Sequence, residues 1–427
     1  MSTFAAALAF AIKNAAGAFT VGSASGLGAG TTGGAGGKVV YPTSNAELTM
    51  YLGDTKPLVI VLDRTFDFRG TEGTTTEAGC RPTANRQCLA KRNGFKGQDV
   101  ILQEGGMKST GGCVDGTKVT VKYDNAGIKR LFVRDHKTIR GIGKKGVIKG
   151  KGLTLTNNII VQNVHITEIN PHLVWGGDAI YICNGGPTAS KNVWLDHLKV
   201  SRIGRQMVVT GEAGVDGLTI SNSEFDGNTD FSMSCDGHHY WTLLFYGRKT
   251  AVTMVNNYLH GTSGRSPKVG SRKEDNVVLH AVNNYWGKNS GHSFDVSLSG
   301  YVLAEGNYFD STARPAIADI KGDLFAFDDK DAAGACKTYL GRPCEANVVV
   351  KSGKFTSHNG IPALKAMKAY RSIVDFSSKS TSADNVEQEQ VYKFSDANST
   401  SSTLYQAKDL AKEWAKTTNN FGIGKLN

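Results

Sequence analysis

Long apolar runs and prolines are scarce in this chain of 427 residues. No stretch approaches the ~18 consecutive apolar residues that a membrane-spanning helix requires, so we expect no membrane segment. Only 9 prolines stand beside 51 glycines. This composition favours many short strands joined by tight turns over a bundle of long helices.

Acidic residues are also fewer than basic ones, 38 against 49, and the formal net charge is +11. Such an excess suits an acidic partner, which could be a polysaccharide, an anionic membrane surface or nucleic acid. The basic residues are dispersed, and no recognisable nucleic-acid motif occurs. We therefore do not expect nucleic acid to be the partner.

Several motifs of metal and nucleophile chemistry are missing. There is no H-E-x-x-H, and His238 with His239 lacks a third ligand at metal spacing. There is no G-x-S-x-G elbow for a hydrolase triad. Asp178, Asp196 and Asp236 could in principle supply the paired carboxylates of a glycosidase. We predict neither a metal nor another cofactor.

The N-terminus and the cysteines suggest an oxidising compartment. Residues 1–18 contain an apolar run, Phe4 to Ile12, followed by small residues, which is typical of a secretion signal; the alternative is an amphipathic helix. The seven cysteines form no C-x-x-C pair. We expect a secreted protein with three disulfides and one buried free thiol, and spacing alone leaves the pairing open.

A glycine-rich stretch near the N-terminus, Gly28 to Gly33, matches the dinucleotide fingerprint G-x-G-x-x-G. No strand precedes it and an extended segment, Val39 to Pro42, follows it, so the context for phosphate binding is missing. Farther on, Ser44 and Glu47 form a capping box that predicts a short helix.

Short strand-like segments with asparagine near their ends recur along the chain, at intervals within the roughly 20 to 50 residues typical of stacked repeats. Leu58 to Leu62 is a compact apolar strand of this kind. We predict an all-β fold, a right-handed parallel β-helix (solenoid) with flanking loops and short helices at the N- and C-terminal parts. Inward asparagines could form hydrogen-bonded ladders, or they could instead occupy left-handed turns. The recurring positions are Asn158, Asn192, Asn222, Asn257, Asn284 and Asn307.

We expect the β-helix domain to span residues 19–394 and a polar linker with a helix to span 395–427. The linker carries a glycosylation sequon at Asn398. Thr403 to Gln406 forms a capping box, and the helix should pack on the β-helix through an apolar stripe. The stripe consists of Leu404, Ala407, Leu410, Ala411 and Trp414.

Six segments between residues 20 and 345 closely resemble pectin lyases of the pectate lyase superfamily. The segments are Trp175 to Ile180, Trp194 to Gln206, Cys235 to Trp241, His260 to Val269, Leu279 to Trp286 and Gly300 to Asn307. The resemblance implies a β-helix enzyme that eliminates across C4 and C5 of a galacturonate methyl ester. Its substrate would be methyl-esterified pectin (homogalacturonan), and we expect a monomer.

By the same resemblance, Arg265 is the central catalytic residue, matched to the family's base. Asp178 and Arg205 match two further site positions, and Lys268 matches a nearby basic one. An arginine is a reluctant proton acceptor because its pKa exceeds ~12. We expect Arg205 and Lys268 to crowd Arg265 and lower its protonation, and Asp178 to orient the cluster. An alternative for Arg205 and Asp178 is a purely structural ion pair.

The position of Arg205 also bears on calcium. Related pectate lyases hold calcium with a carboxylate cluster, and the resemblance places Arg205 where one of those carboxylates would lie. A cation cannot ligate calcium, so the prediction is calcium-independent cleavage of the neutral ester. A calcium-dependent pectate lyase of the same fold and a catalytically silent pectin-binding β-helix remain the alternatives.

Trp175, Tyr240 and Trp241 align with aromatic cleft residues that would stack on sugars, whereas an isolated tryptophan is more often part of a core. Between Cys80 and Cys113 the family's tryptophans are replaced by basic residues, which implies tolerance of partly de-esterified pectin. These residues are Lys91, Arg92, Lys96 and Lys108. The resemblance also implies three disulfides and leaves Cys183 unpaired. The pairs would be Cys80 with Cys113, Cys88 with Cys235, and Cys336 with Cys344.

Overall fold

Short parallel strands stacked in three long rows account for most of the regular structure. The computed structural model describes residues 11–12, 19–83, 88, 92–101, 113, 116–328, 334–354, 358–370 and 421–426. The first row is an eleven-stranded sheet, parallel except for its last pair. Its strands are Lys38–Val40, Leu58–Leu62, Lys137–Gly141, Ile159–Gln162, Ser190–Asp196, Val215–Ser221, Thr250–Val255, Val277–Val282, Gly300–Glu305, Asp323–Ala326 and His358–Asn359.

The other two rows are limbs of one fifteen-stranded sheet, joined through the long strand Tyr285–Val296. The first limb contains Thr65–Asp67, Val147–Lys149, His165–Ile169, Lys199–Ile203, Glu224–Asp226 and Tyr258–His260, and beyond the long strand Tyr308–Ala316 and Val348–Val350. The site limb contains Leu131–Val133, Leu153–Leu155, Ile180–Ile182, Val208–Thr210, Leu243–Phe245 and Lys268–Val269.

The chain visits these three rows in a fixed order. From Lys137 to Val296 it passes from the eleven-stranded sheet to the first limb, then to the site limb and back, so each circuit adds a strand to each row. Apart from that last pair, neighbouring strands in a row are therefore parallel and about 4.8 Å apart. The prediction of a parallel β-helix is confirmed.

The strand Leu58–Leu62 shows how the coils are filled. It is buried along its whole length. Leu58, Ile60 and Leu62 lie in the interior core, and the two intervening valines pack outward in a second cluster with Val21. Burial on both faces explains why this strand is a continuous apolar run and does not alternate with polar residues.

Buried asparagines form a ladder along successive coils. The Oδ1 atom of Asn284 accepts hydrogen bonds from the backbone N and the Nδ2 of Asn257, at 3.0 and 2.9 Å. Asn307 accepts the same pair of bonds from Asn284, at 2.9 and 3.1 Å. Asn347 accepts them from Asn307. The ladder satisfies backbone groups at each bend of the coil.

The other three recurring asparagines adopt left-handed backbone conformations. Asn158, Asn192 and Asn222 have φ of 52°, 56° and 51°. Asparagine tolerates this region better than most residues because its short polar side chain can hydrogen-bond locally. The recurrence thus combines two structural roles, and the ladder prediction holds for Asn257, Asn284 and Asn307.

The glycine-rich N-terminal segment lies against the outer face of the eleven-stranded sheet. The backbone N of Gly28 donates to Thr219 Oγ1 at 2.9 Å, and that of Gly34 donates to Thr138 Oγ1 at 3.0 Å. A Cβ atom at Gly34 would collide with the carbonyl of Leu58. Glycine is therefore needed for close approach to the strands.

The helices are short and lie outside the coil. Ser44 Oγ accepts from the backbone N of Glu47 at 3.2 Å, so the predicted helix cap is confirmed. The Glu47 carboxylate reaches back to the backbone N of Thr43, at 2.7 Å. The α-helices whose bounds are described are Asn45–Gly53, Asn125–Ile128, Ala335–Leu340 and Ile361–Lys368, and Gly26–Gly28 is a 3-10 helix. No helix in the described parts of the chain is long and apolar enough to cross a membrane.

A four-stranded sheet packs beside the coils at the N-terminal half. Its strands are Thr74–Pro82, Asp99–Ile101, Gly116–Asp124 and Leu173–Val174.

The disulfides join Cys80 to Cys113, Cys88 to Cys235 and Cys336 to Cys344, the pairing that the resemblance implies. Cys183 is free and half-buried, where the sequence had suggested a buried thiol.

The tail is described only at its end. Residues 421–426 return to the β-helix, where Gly424 N donates to Asn163 Oδ1 at 2.7 Å and the ring of Phe421 lies 5.5 Å from that of Tyr258. The predicted helix with the stripe from Leu404 to Trp414, the sequon at Asn398 and the predicted secretion signal lie outside the described residues, apart from the short strand Ala11–Ile12.

Candidate active site

Three of the four predicted catalytic residues lie just before strands of the site limb, and the fourth, Lys268, begins one of these strands. Asp178 precedes Ile180–Ile182, Arg205 precedes Val208–Thr210, and Arg265 precedes Lys268–Val269. These strands belong to one continuous row in which each pairs in parallel with the next. The stacking of coils therefore brings the residues to one edge of the row, although they are far apart in sequence.

Asp178 is held between two arginines. Its Oδ1 lies 3.9 Å from Arg205 Nη1, and its Oδ2 lies 3.5 Å from Arg130 Nη1. The backbone N of Gln206 donates to the same carboxylate at 2.9 Å. One anion thus fixes two cations and leaves the group with a net positive charge.

Arg130 was not predicted from the sequence. It immediately precedes Leu131–Val133, the first strand of the site limb, and its guanidinium lies 4.7 Å from the ring centroid of Tyr181. The register pairs this strand with Leu153–Leu155, which in turn pairs with Ile180–Ile182. Aligning the sequence of the coil that contains Arg130 with that of the coil two turns later, which contains Asp178, would have indicated that both residues lie on the same edge.

Arg205 is sandwiched among aromatic rings. Its guanidinium carbon is 3.6 Å from the centroid of Trp175 and 6.0 Å from that of Trp241. Burial lowers the pKa of Arg205, and Asp178 opposes that effect. Its Nε is buried without a hydrogen-bond partner. The charge is therefore held in place largely by ring faces and one carboxylate.

Arg265 shares Trp241 with Arg205. Its guanidinium carbon lies 4.6 Å from the centroid of that ring, and its backbone has a φ of 46°. Burial is the main reason that the pKa of Arg265 falls below its usual value, and the positive charge of Arg205 lowers it further. Tyr240 and Asp295 act in the opposite direction. The predicted crowding of Arg265 by Arg205 is therefore present.

Lys268 has a different setting from the one predicted. Its ammonium group lies 2.9 Å from Asp295 Oδ2 and donates to Ser297 Oγ at 2.9 Å. This ion pair largely offsets the lysine charge. Arg205 is consequently the cation that bears on Arg265, and Lys268 sits in a local pair beside it.

The three aromatic residues predicted to stack on sugars contact the arginines. The guanidinium of Arg205 lies over the ring of Trp175, and that of Arg265 lies over the ring of Trp241. The ring of Tyr240 packs edge to face on Trp241, with 4.9 Å between the ring centroids. All three are half-buried. The ring faces that the guanidiniums cover are not open to a sugar, so the rings position the cations.

Two buried side chains, whose roles here were not predicted from the sequence, connect these elements. Gln98 Oε1 accepts from Trp241 Nε1 at 3.2 Å, and Gln98 Nε2 donates to the carbonyl of Gly204 at 2.8 Å. His239 Nε2 donates to the carbonyls of Arg205 and Trp241, at 2.7 and 3.0 Å. Burial lowers the pKa of His239 to about 4, so the ring is neutral at pH 7.

A cleft of about 490 Å³ opens beside the cluster. Its lining combines the Asp178 carboxylate with aromatic rings and cations, and Arg265 lies next to it, not among its lining residues. The charged and aromatic lining residues are Arg130, Trp175, Asp178, Tyr181, Arg205, Tyr246 and Arg272. Such a cleft is suited to an extended, polar, negatively polarised ligand.

The geometry does not suit calcium at this point. Calcium takes six to eight oxygen ligands, usually including several carboxylates. Asp178 is the carboxylate among the lining residues, and two guanidiniums already bind it. A metal ion there would face Arg130 and Arg205 at close range.

A possible metal group lies elsewhere, on the first limb. Glu224, Asp226 and His260 place ligand atoms within 4.8 Å of one another. The ammonium of Lys199 lies 2.9 Å from Glu224 and 3.5 Å from Asp226. A cation of the chain itself therefore binds both carboxylates and offsets one of their two negative charges. His238, by contrast, pairs with Asp236.

The coil and its cation-lined cleft are those of a polysaccharide lyase. The chain belongs to the pectate lyase family, because the model of that family, described as pectate lyase, matches residues 90–426. Two curated relatives are "Probable pectin lyase A" of Aspergillus oryzae, 46% identical over 341 residues, and "Pectin lyase B" of Emericella nidulans, 44% identical over 337 residues. Each alignment covers 78% of this chain and 84% of the relative.

Solved structures also resemble the chain. A pectate lyase from Bacillus sp. N165, solved with trigalacturonate, has a TM-score of 0.49 and 20% identity and covers 94% of this chain and 99% of its own. A pectate lyase from Acidovorax avenae subsp. citrulli has a TM-score of 0.49 and 18% identity, with coverage of 94% and 95%.

Proposed function

We propose that the protein is a secreted pectin lyase that cleaves methyl-esterified galacturonan by β-elimination without calcium. The observation that carries the proposal is the pair of half-buried arginines, Arg205 and Arg265, that both lie over the ring of Trp241, with Asp178 shared between Arg205 and Arg130. The names of the relatives, pectin lyases at 44 to 46% identity, support the same substrate.

The chemistry needs a fixed positive charge near the sugar ester. In β-elimination the C5–H bond breaks and its electron pair enters the ester carbonyl as an enolate. The pair then forms the C4=C5 double bond as the C4–O bond breaks, and the leaving oxygen takes up a proton. Cations already in place stabilise the enolate because they need no reorganisation during the reaction.

Arg265 is the proposed proton acceptor at C5. Arginine acts as a base only if its neutral form becomes accessible, and burial together with Arg205 shifts its pKa in that direction. Arg205 is proposed to stabilise the enolate oxygen. Asp178 holds Arg205 and Arg130 in position, and Lys268 with Asp295 borders the site.

The preference for the ester follows from the same charges. A neutral ester lacks the carboxylate charge that calcium would otherwise balance, so arginines suffice to stabilise the enolate that develops. The three disulfides fit an extracellular location, because such bonds persist in oxidising compartments.

The assay follows the ultraviolet absorbance of the unsaturated product on methylated pectin and on polygalacturonate, each with excess chelator. We expect signal on methylated pectin that resists the chelator. Signal only on polygalacturonate, abolished by the chelator, would instead indicate a calcium-dependent pectate lyase. Binding without signal on either polymer would indicate a silent pectin-binding protein.

The role of Arg265 is tested in the same assay. Arg265→Ala should lower kcat about a thousandfold or more with folding intact, because both the base and a charge near the enolate are lost. Arg64→Ala is the matched control, since Arg64 is exposed and its guanidinium binds the neighbouring Asp63. Near-normal turnover by Arg265→Ala would refute the mechanism.

A further inference from the structure

A second concave site lies outside the active-site cleft, against the four-stranded sheet. It has a volume of about 570 Å³. Its charged and aromatic lining residues are Arg81, Lys96, Asp99, Lys122, His172 and Phe231. We call this the basic pocket.

Within the described part of the chain, the basic pocket has more basic than acidic lining residues, and they lie beside an aromatic ring. The Lys96 ammonium lies 5.5 Å from the ring centroid of Phe231, and the His172 ring lies 5.8 Å from it. Arg81 binds the Asp99 carboxylate through two hydrogen bonds of 3.0 and 2.9 Å. That pair neutralises the acidic residue of the lining.

Lys96 and Lys122 therefore supply the excess charge of the basic pocket. Both side chains are exposed. The backbone carbonyl of Lys122 accepts from His172 Nε2 at 2.9 Å, which ties one wall of the pocket to the segment that precedes Leu173–Val174.

A single layer of chain separates the basic pocket from the catalytic cluster. Gly97 and Asp99 line the pocket, whereas the side chain of Gln98 between them is fully buried and contacts Trp241 and Gly204 on the other side. In the adjoining strand, Leu173 likewise lines the pocket and Val174 packs in the cluster that contains Trp241.

We propose that the basic pocket binds an unesterified stretch of galacturonan while an esterified stretch occupies the catalytic cleft. Uronate carboxylates would pair with Lys96 and Lys122, and the apolar face of a sugar would pack on Phe231. The identity of the polymer rests on the proposed function. The structure thus separates the charges that hold free acids from the charges that act on the ester.

This placement changes the interpretation of the basic residues between Cys80 and Cys113. Lys96 lies on the far side of Gln98 from the arginine cluster, so it does not line the catalytic cleft. Arg92 is exposed, and Lys91 and Lys108 lie outside the described residues. Tolerance of acidic pectin, on this proposal, comes from a separate site.

The first test uses the double variant Lys96→Glu with Lys122→Glu. The matched control is Lys38→Glu with Lys191→Glu, which makes the same charge change at exposed positions on the eleven-stranded sheet. KM is measured on fully esterified pectin and on pectin de-esterified in blocks. For the pocket variant, we expect KM on block-de-esterified pectin to rise about tenfold and KM on fully esterified pectin to stay within about twofold.

Two outcomes would overturn the proposal. An equal rise in KM on both pectins would place the lysines in the catalytic cleft. Equal behaviour of the pocket and control variants would show that only net charge matters. Phe231→Leu separates the ring from the charges, since it should weaken binding of acidic stretches without changing the salt dependence.

Direct binding keeps this test independent of catalysis. Calorimetry with an unesterified galacturonate oligomer and chelator should give about tenfold weaker binding for the pocket variant than for the control at low salt. Unchanged affinity would refute the pocket even if the protein proves to be a pectin lyase. Failure of the unmodified protein to cleave esterified pectin would refute the proposed function. The calorimetry would then still test whether the basic pocket binds unesterified galacturonate.

Discussion

The asparagine ladder offers a quantitative test of what holds the coils together. Asn284 is buried, and its Nδ2 donates to the carbonyls of Met254 and Val282, at 2.9 and 3.1 Å. Its Oδ1 accepts both bonds from Asn257. Its backbone is not among the left-handed ones, so Asn284→Ala introduces no backbone strain.

The expected cost follows from the groups left without partners. Alanine at 284 strands the backbone N–H of Asn257 and one proton of the Asn257 amide inside the protein. Each buried donor without an acceptor costs about 1 to 3 kcal/mol, so the free energy of unfolding should fall by about 2 to 6 kcal/mol. Asn284→Asp should cost at least as much. Aspartate keeps the shape of the side chain, but it places a carboxylate oxygen where Nδ2 now donates to the carbonyls of Met254 and Val282.

Urea unfolding followed by circular dichroism measures this change. With a slope of about 3 kcal/mol per molar urea, the midpoint should fall by about 0.7 to 2 M. Asn276→Ala is the control, since Asn276 is exposed, and it should change stability by no more than about 0.5 kcal/mol. A loss below about 1 kcal/mol for Asn284→Ala, or a harmless Asn284→Asp, would refute the reasoning.

Three further predictions concern the catalytic cluster. Asp178→Asn should lower kcat about a hundredfold, because Arg130 and Arg205 lose their common anion; unchanged kcat on methylated pectin would contradict the proposed orienting role. Gln98→Leu should lower kcat about tenfold with little change in KM, because Trp241 loses its hydrogen-bond acceptor and the carbonyl of Gly204 loses its donor. If this variant changed thermal stability alone, the role of Gln98 would be merely structural. His239, whose pKa falls to about 4 in the folded state from an ordinary value of 6.5, contributes stability that is complete above pH 6.5 and is lost as the pH falls toward 4. Its share is about 3 kcal/mol, and His239→Gln should flatten urea stability measured across that pH range.

The fold was accessible from sequence because its signals are local and repeated. Leu58–Leu62 is apolar throughout, and asparagines mark the bends at Asn257, Asn284 and Asn307. Asparagine has two different structural roles at the recurring positions, however. Asn158 and Asn222 serve left-handed turns, and only the backbone distinguishes them from ladder residues.

The site was accessible in part. The positions of Arg205 and Asp178 about one coil apart correctly predicted that they would meet. The pairing of Lys268 with Asp295 depends on the next coil and has no local signal. Gln98 enters from a separate sheet, so its contact with Trp241 could not be derived from periodicity. His239 was considered only as a metal ligand, although its neighbours are backbone carbonyls.

The glycine-rich segment has a mechanical consequence for the whole solenoid. In stacked repeats each coil normally contacts only its neighbours, so the ends can fray independently. Here the backbone N of Leu27 binds Thr253, at 3.0 Å, and that of Gly34 binds Thr138, so one short peptide fastens the first and last of five consecutive strands together. Loosening any turn between them requires these backbone contacts to break, which should make the five coils melt as a single cooperative block.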